Sequence, residues 1–234
     1  MNRYSAINDK NSREIVLLRG LGCGWLKCRF CDYHLDSGND AKANFSLNSK
    51  VLANVTGEYS RLEIINSGSY FELDPQTQEL IKKICEEKKI SNLHVESHWM
   101  YRDRVRALRR QMAEQGIELK VKIGVESFDY DYRERYLNKG LDERSPEKIA
   151  RDFDDCCLLF GLPGQTEKTM RRDLALGLEH FGRVCINIMC ENSSIIKPDH
   201  EVIRLFRETL WLECRDNPRV DVLLDNLDFG VGNL

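Results

Sequence analysis

Several features that would narrow the class of this protein at once are missing from its sequence. No apolar run approaches the roughly 18 residues that a membrane-spanning helix needs. The opening residues, MNRYSAINDKNSRE, are polar and lack the apolar segment of a secretory signal. A formal net charge of −3 gives no sign of a general surface for nucleic acid. We therefore expect a cytoplasmic protein that neither enters a membrane nor binds nucleic acid directly.

Internal repeats and low-complexity segments are also missing, and the composition is that of a globular protein. Charged residues make up 31% of the 234 residues and apolar residues 41%, which is an ordinary balance. This length fits one large domain or two small ones. We expect a single domain over residues 1–234, with its core at about 14–200 and a C-terminal helix and tail at 201–234 that closes the site.

Short apolar segments alternate with longer amphipathic ones along most of the chain, after a loose lead-in at 1–12. The predicted strands are residues 14–19, 61–65, 92–96, 119–125, 155–160 and 183–189, with 220–224 as a candidate for one more. The predicted helices are residues 49–59, 75–88, 102–115, 131–137, 146–153, 166–181 and 199–214, with a mobile loop at 36–48. This alternation predicts an α/β fold with a parallel sheet, and six repeats fit a partial, open (β/α)6 barrel.

The most distinctive polar segments all follow predicted strands. They are the cysteine-rich loop at 20–36, NSGSYFE at 66–72, ESHW at 96–99, ESFD at 126–129, FGLPG at 160–164 and CENSS at 190–194. Ligands of parallel α/β sheets bind at the carboxyl ends of the strands. We therefore expect these six segments to converge on one mouth.

The loop GLGCGWLKCRFCDYHLD carries the clearest chemical signal. It places Cys23, Cys28 and Cys31 in a C-x4-C-x2-C spacing. Thiolates this close together suit an iron–sulfur cluster or zinc, and in a cytosolic chain they indicate metal ligation instead of disulfides. The remaining cysteines lack this spacing, and those in predicted strands are expected to be small buried hydrophobes.

Three metal sites are compatible with this loop. The first is a [4Fe–4S] cluster with three cysteine ligands and one open iron. The second is a plant-type [2Fe–2S] loop, which shares the spacing but needs a fourth cysteine, and the next one is Cys85 in a predicted helix. The third is a zinc site made by the three cysteines and His34. Of these three, only the [4Fe–4S] cluster with an open iron would also account for the other polar segments that follow strands.

The loop resembles the hallmark of the radical SAM superfamily, a three-cysteine loop after the first barrel strand. That hallmark is usually C-x3-C-x2-C with an aromatic residue before the last cysteine, and Phe30 matches this position. The first gap is one residue longer here, and Gly22 and Gly24 offer the backbone freedom to absorb it. The resemblance implies a [4Fe–4S] cluster that reductively cleaves S-adenosylmethionine (SAM) to a 5′-deoxyadenosyl radical.

The resemblance also implies cofactor-binding residues elsewhere in the chain. NSGSYFE is similar to the segment whose backbone carbonyls hold the methionyl amine of SAM. IGVES, NKG and FGLPGQT are similar to the elongator-type and methylthiotransferase branch, with Arg135 assigned to the carboxylate of SAM and Glu126 and Ser127 to its ribose or amino-acid part. The implied cofactor-binding residues are Phe30, Ser67, Gly68, Ser69, Glu72, Glu126, Ser127, Arg135 and Leu162.

Within the superfamily, the short length, the longer first gap and the FCDYHLD continuation resemble the bacterial queuine lyases of queuosine salvage. Such an enzyme cleaves a C–N bond of queuine and releases preQ1, and an external donor such as flavodoxin or ferredoxin supplies the electron. His98, Glu191 and Asp228 are the candidate catalytic residues that would hold the deazapurine or its cyclopentenediol. The alternatives are a radical SAM enzyme for another small molecule or a tRNA nucleoside, and a zinc-stabilised binding module.

Overall fold

The computed structural model of the protein describes residues 2–224. This part of the chain forms two compact units: residues 2–26 and 33–122 belong to the first, and residues 27–32 and 123–224 to the second. Within residues 2–224, no helix combines the length and apolar character needed to cross a membrane. The cysteine loop therefore contributes Cys23 to the first unit, and Cys28 and Cys31 to the second.

The strands of the first unit are mostly parallel neighbours in chain order. They are β1 (Tyr4–Ile7), β2 (Arg13–Leu18), β3 (Arg61–Asn66), β4 (Asn92–Glu96) and β5 (Glu118–Glu126), the last of which continues into the second unit. β1 is antiparallel to β2, and β2 to β5 are parallel. All six residues of β2 are buried, as expected for a parallel strand that is covered on both faces.

Side-chain caps define where the helices of this unit begin. The helices are α1 (Ala41–Leu52), α2 (Pro75–Glu87) and α3 (Arg102–Ala113). Asp74 accepts a hydrogen bond from the backbone N–H of Thr77, and Pro75 occupies the first helical position. These start signals are visible in the sequence, and the predicted α2 and α3 end within two residues of the observed ones.

The second unit repeats the same alternation. Its further strands are β6 (Asp155–Phe160), β7 (Arg183–Ile188) and β8 (Val220–Leu223), and β6, β7 and β8 are parallel neighbours. Its helices are α4 (Pro146–Ile149), α5 (Glu167–His180), α6 (His200–Thr209) and α7 (Trp211–Asp216). The candidate last strand at 220–224 is thus present as β8.

Two predictions for the first 60 residues were wrong. The expected lead-in at 1–12 contains β1, because Tyr4–Ile7 pairs with β2 and the Tyr4 hydroxyl donates to Glu14 at 2.8 Å. The expected mobile loop at 36–48 and helix at 49–59 are replaced by α1. This helix starts early because the Asp40 side chain accepts from the N–H groups of Lys42 and Ala43.

Two predicted helices of the second unit also differ from the observed structure. Residues 131–137 do not form an α-helix but a π-helical turn, Tyr132–Tyr136. The predicted helix at 199–214 is divided at Leu210 into α6 and α7. In both places the apolar pattern identified a helical segment but not its hydrogen-bond geometry.

Four charged side chains on neighbouring strands form a buried network in the first unit. Glu63 is 1% exposed and forms an ion pair with Arg13. Its other oxygen accepts from Lys122 Nζ at 2.6 Å, and Lys122 also lies 3.0 Å from Glu96. Buried charges are tolerated only when they are paired, so the four strands must keep this register.

Replacement of Glu63 by Ala is expected to destabilise the protein by about 3 kcal/mol or more, because Arg13 and Lys122 would each lose a buried carboxylate partner. Urea unfolding followed by circular dichroism measures this change. Glu79→Ala is the control, since the Glu79 side chain is 76% exposed and its pair with Lys82 contributes little. Equal unfolding free energies for both variants would contradict this role of Glu63.

Candidate active site

The carboxylate of Glu72 fastens the Cys23 end of the cysteine loop. Its Oε1 accepts from the backbone N–H of Gly24 at 2.5 Å and from the Tyr101 hydroxyl at 2.9 Å. Its Oε2 accepts from the Ser69 N–H at 2.6 Å. Burial and the hydrogen bond to Glu72 raise the pKa of Tyr101 to about 12, so the phenol remains a donor at neutral pH. Glu72, predicted as a cofactor contact, thus holds the loop in place.

Gly68 is a position where the loop after β3 admits no side chain. A Cβ atom there would lie 1.9 Å from Glu72 Oε2 and 3.4 Å from the Cα of Cys23. Any larger residue would push away the carboxylate that holds Gly24. Glycine at this position is therefore explained by the close approach of Glu72 and Cys23, and the cofactor-binding role of Gly68 stays a prediction.

Two buried acceptors beside Gly68 lack a hydrogen-bond partner among the described residues. They are Oδ1 of Asn66 and Oγ of Ser67, whose residues are 6% and 8% exposed. Ser69, the third predicted residue of this segment, is already engaged, because its hydroxyl accepts from the His98 N–H at 2.9 Å. Unsatisfied buried acceptors cost free energy unless a ligand supplies donors, and an ammonium group such as the methionyl amine of SAM would do so.

His98 lies against the cysteine loop. Its ring stacks on Trp25 with 5.7 Å between ring centroids and an angle of 18°. Nδ1 accepts from the Met100 N–H at 3.2 Å, which fixes the tautomer with the proton on Nε2. The imidazole ring is therefore held in a half-buried position beside Trp25.

Backbone hydrogen bonds fasten residues 27–32 to the rest of the second unit. The Arg29 N–H donates to the Leu137 carbonyl at 3.0 Å, and the Arg29 carbonyl accepts from the Ile196 N–H at 2.8 Å. The Asn192 side chain donates to the Phe30 carbonyl at 2.8 Å. Segments after β5 and β7 thus hold the part of the loop that carries Cys28 and Cys31.

Phe30 anchors this part of the loop in an apolar cluster. Cys28 and Cys31 pack against that cluster and stay partly exposed. Leu162, predicted as a cofactor contact, is a fully buried member. The cluster consists of Phe30, Leu137, Leu159, Leu162, Met189 and Ile196. The aromatic residue before the last cysteine therefore anchors the segment between Cys28 and Cys31 by burying its ring.

A largely buried ion pair, with side chains 13% and 7% exposed, lies beside these thiols. Lys139 Nζ is 2.7 Å from Glu126 Oε1 and 5.7 Å from the centroid of the Phe30 ring. Burial lowers the pKa of Lys139, but the charges of Glu126 and of Cys28 outweigh burial and leave it raised. Lys139 is therefore a permanent cation beside the cysteine loop. Glu126, the ion-pair partner of Lys139, has a left-handed backbone conformation with a φ of 65°.

Sequence reasoning gave Lys139 no role of its own. The only signal was its place in the NKG segment that the resemblance mentions. Arg135 was predicted as the cation for the carboxylate of SAM, but its side chain is 78% exposed and pairs with Asp131 at 3.3 Å. The prediction for Arg135 is untested, but Lys139 is the cation that the structure buries next to Cys28 and Cys31.

The structure places the remaining predicted site residues, Ser127 and Glu191, in different environments. The Ser127 hydroxyl donates to Asp173 at 2.6 Å. The Glu191 side chain is 67% exposed and lies 3.7 Å from His200. Asp228 lies outside the described residues. The predicted convergence of all six strand-end segments on one mouth remains a prediction.

The donor chemistry of the loop fits an iron–sulfur cluster. Cys23, Cys28 and Cys31 form no disulfide and are partly exposed, whereas five of the other six cysteines are buried. Soft thiolates are the ligands that such clusters prefer. Within residues 2–224, no three His, Cys, Asp or Glu side chains are already arranged around a metal position. The loop cysteines therefore supply the ligands that such a cluster requires.

A comparison with solved structures shows what this chain is similar to. Queuine lyase from Clostridium spiroforme, solved bound to SAM and queuine, matches with a TM-score of 0.94 and 43% sequence identity over 100% of both chains. No protein-family model matches the chain, and no curated protein matches it.

This full-length match confirms the predicted α/β fold class, a partial, open (β/α)6 barrel of the radical SAM type. The fold and the three-cysteine loop define a radical SAM enzyme. More narrowly, the chain belongs to the queuine lyase family.

Replacement of Glu72 by Ala is expected to increase the rate of iron loss to a chelator by about tenfold or more. The reason is that residues supporting a ligand loop typically account for 10- to 100-fold in metal affinity. The measurement is iron release from anaerobically reconstituted protein. Glu79→Ala serves again as control, and iron loss at the parental rate in Glu72→Ala would contradict this role of Glu72.

Alkylation of the metal-free protein at pH 8 is expected to distinguish slowly reacting buried cysteines from rapidly reacting loop cysteines. Burial raises the pKa of Cys85 to about 12 and raises that of Cys156 well above its ordinary value. Since the thiolate is the nucleophile, Cys85 should react about a thousandfold more slowly than an unperturbed thiol. The loop cysteines, which solvent reaches, should react first.

Peptide mapping by mass spectrometry after iodoacetamide treatment measures this order. The same treatment in urea is the control, because all nine cysteines should then be labelled. Labelling of Cys85 at the rate of the loop cysteines in folded protein would show that the thiol is not buried as described.

Proposed function

We propose that this chain is a radical SAM lyase that cleaves the C–N bond of queuine and releases preQ1. The observation that supports this most strongly is the full-length match, at 43% identity, to a queuine lyase bound to SAM and queuine. The chemistry of the loop agrees, because three cysteines leave one iron of a [4Fe–4S] cluster without a protein ligand.

Cys23, Cys28 and Cys31 would ligate the cluster in this proposal. When bound, the cluster and SAM supply a 5′-deoxyadenosyl radical, which is chemistry that no side chain can provide. Glu72 and Phe30 would hold the two ends of the ligand loop through the contacts described above. The protein's task is thus to position the loop and to exclude water.

The segment after β3 would bind the methionyl part of SAM. Asn66 Oδ1 and Ser67 Oγ are buried acceptors without a donor among the residues described, which suits an ammonium group. Lys139 is a largely buried cation that is paired with Glu126. Its ammonium group would bind the carboxylate of SAM if the Glu126 side chain shifts to share it. Glu126 and Ser127 would then lie near the ribose or amino-acid part, as the family resemblance implies.

His98, Glu191 and Asp228 remain the proposed contacts of the substrate. His98 accepts from the Met100 N–H through Nδ1 and lies half-buried beside the cysteine loop, and we propose it as a hydrogen-bonding contact of queuine from the sequence argument. Glu191 carries an exposed carboxylate that suits the N–H donors of a deazapurine edge. Asp228 is proposed on the basis of the sequence alone.

We also propose where the enzyme acts, what it takes as substrate and what reduces it. The enzyme would act in the cytoplasm as a single domain, take free queuine and need no direct contact with nucleic acid. Its product would serve queuosine salvage for tRNA modification. A one-electron donor such as flavodoxin or ferredoxin would reduce the cluster.

Anaerobic incubation with queuine, SAM and dithionite is expected to yield preQ1 and 5′-deoxyadenosine, both detectable by mass spectrometry. Cys28→Ala should lower the yield of both by at least about 1000-fold, because the cluster loses one of three protein ligands. Ser67→Ala should chiefly raise the KM for SAM, by about tenfold, since it removes one ground-state contact.

Cys214→Ala is the matched control, because this cysteine is 1% exposed in α7 and lies outside the loop. It should leave both yields within about twofold of the parent protein. Cleavage of SAM without formation of preQ1 would refute the proposal that queuine is the substrate. A colourless reconstituted protein that contains zinc and leaves SAM intact would refute the whole proposal.

A further inference from the structure

We propose that Leu26 is a positioning residue of the cysteine loop, because its left-handed backbone turns its N–H group onto the sulfur of Cys23. Both residues belong to the first unit. The inference rests on the proposed function, since it gives this N–H a role once Cys23 ligates the cluster. That role is to stabilise the reduced cluster and thereby to raise its reduction potential.

The backbone conformation of Leu26 is unusual for its residue type. Of the residues between Cys23 and Cys28, all of which the structure describes, Leu26 alone has a positive φ, of 51°. Glycine and asparagine adopt this left-handed region readily, but the Cβ atom of leucine crowds the following carbonyl oxygen there. A leucine keeps such a conformation only where the surrounding structure compensates for the strain.

Burial of the side chain does not explain this strain. Leu26 is 60% exposed, so its side chain gains little from contact with an apolar interior. The left-handed turn instead has a consequence for the backbone, because the Leu26 N–H donates to Cys23 Sγ with 3.5 Å between nitrogen and sulfur. This distance is longer than that of an N–H···O bond, as the larger radius of sulfur requires. The strained residue thus supplies a backbone donor to a proposed ligand atom.

Contacts of Gly24 leave this task to Leu26. The Gly24 N–H donates to Glu72 Oε1 at 2.5 Å, so it is committed to holding the loop. A Cβ atom on Gly24 would lie 2.7 Å from the Tyr101 hydroxyl oxygen, and the φ of Gly24 is not in the left-handed region. Glycine at position 24 therefore allows a close approach, whereas the left-handed turn toward Cys23 is made at Leu26.

A donor at this sulfur acts unequally on the two oxidation states of a bound cluster. As a ligand, Cys23 would be a thiolate, and hydrogen bonds to an ionised acceptor are stronger than those to a neutral one. Reduction adds one electron, whose negative charge is shared with the sulfur ligands. Hydrogen bonds to these sulfurs are among the factors that set cluster potentials. The Leu26 N–H therefore stabilises the reduced state more than the oxidised state.

The test is a series of substitutions that differ in their tolerance for the left-handed region. Leu26→Gly and Leu26→Asn tolerate it, whereas the β-branched side chain of Leu26→Val does not. The midpoint potential is measured in anaerobically reconstituted protein without SAM, by titration with dithionite followed by electron paramagnetic resonance.

Leu26→Val is expected to lower the equilibrium constant for reduction about tenfold, which is about 59 mV for one electron, because one hydrogen bond to a charged sulfur is lost. Leu26→Gly and Leu26→Asn should stay within about twofold of the parent protein, since both keep the N–H and its orientation. Leu26→Gly removes the whole side chain, so a role of that side chain would make this variant the most affected. A potential lowered equally by glycine and valine, or unchanged in all three variants, would overturn the proposal.

Lys89→Val is the matched control for backbone strain. Lys89 is exposed, follows α2 and has a φ of 56°, close to that of Leu26. Valine at this position should lower the midpoint of urea unfolding, as it should at position 26, but should leave the reduction potential at the parental value. An equal drop in potential in Lys89→Val would show that strain alone changes the potential.

A second readout needs neither the cluster nor SAM and separates this proposal from the proposed function. In metal-free protein, hydrogen exchange of the Leu26 amide is measured by nuclear magnetic resonance. Cys23→Ala removes the acceptor and should speed this exchange about tenfold, whereas Cys31→Ala should leave it within about twofold. Unchanged exchange in Cys23→Ala would refute the hydrogen bond, even in a protein that forms preQ1. If the protein binds zinc and leaves SAM intact, the proposed function fails, and the exchange rates still decide whether Leu26 donates to Cys23.

Discussion

The attachment of the cysteine loop at both of its ends is the constraint on which the site depends. At one end the Glu72 carboxylate receives three donors, including the N–H next to Cys23. At the other end the backbone of Arg29 and Phe30 is bonded to segments after β5 and β7. A soft-metal site needs ligands held at fixed positions by a supporting shell. Here that shell consists largely of hydrogen bonds to the backbone, which fix the path of the loop.

Buried charge is handled in a consistent way throughout the described part of the chain. Glu63 is compensated by two cations, and Glu126 is paired with Lys139. Desolvation makes an unpaired buried charge costly, so each of these pairs specifies which strands and loops must be neighbours. Arg29 and Lys197 differ because their side chains are exposed to solvent, where an unpaired charge costs little.

The sequence predicted the architecture well where the signal was local. The apolar runs identified seven strands from β2 to β8, and Asp74 with Pro75 identified the start of α2. β1 was missed because a four-residue edge strand gains its stability from pairing with β2, which no local pattern records. The cysteine spacing and Phe30 pointed to the correct superfamily, since ligand spacing is itself a property of the sequence.

The site residues were harder to predict because their roles depend on exact backbone geometry. An α-helix at residues 131–137 would present Arg135 differently from the observed π-helical turn. In that turn Arg133 is fully buried and donates to the carbonyls of Leu141 and Glu143, whereas Arg135 points to solvent. The buried cation beside the cysteine loop is instead Lys139, which follows the turn. The apolar pattern predicted a helix after β5, but only the observed helix type determines which of its basic side chains are buried and which face solvent.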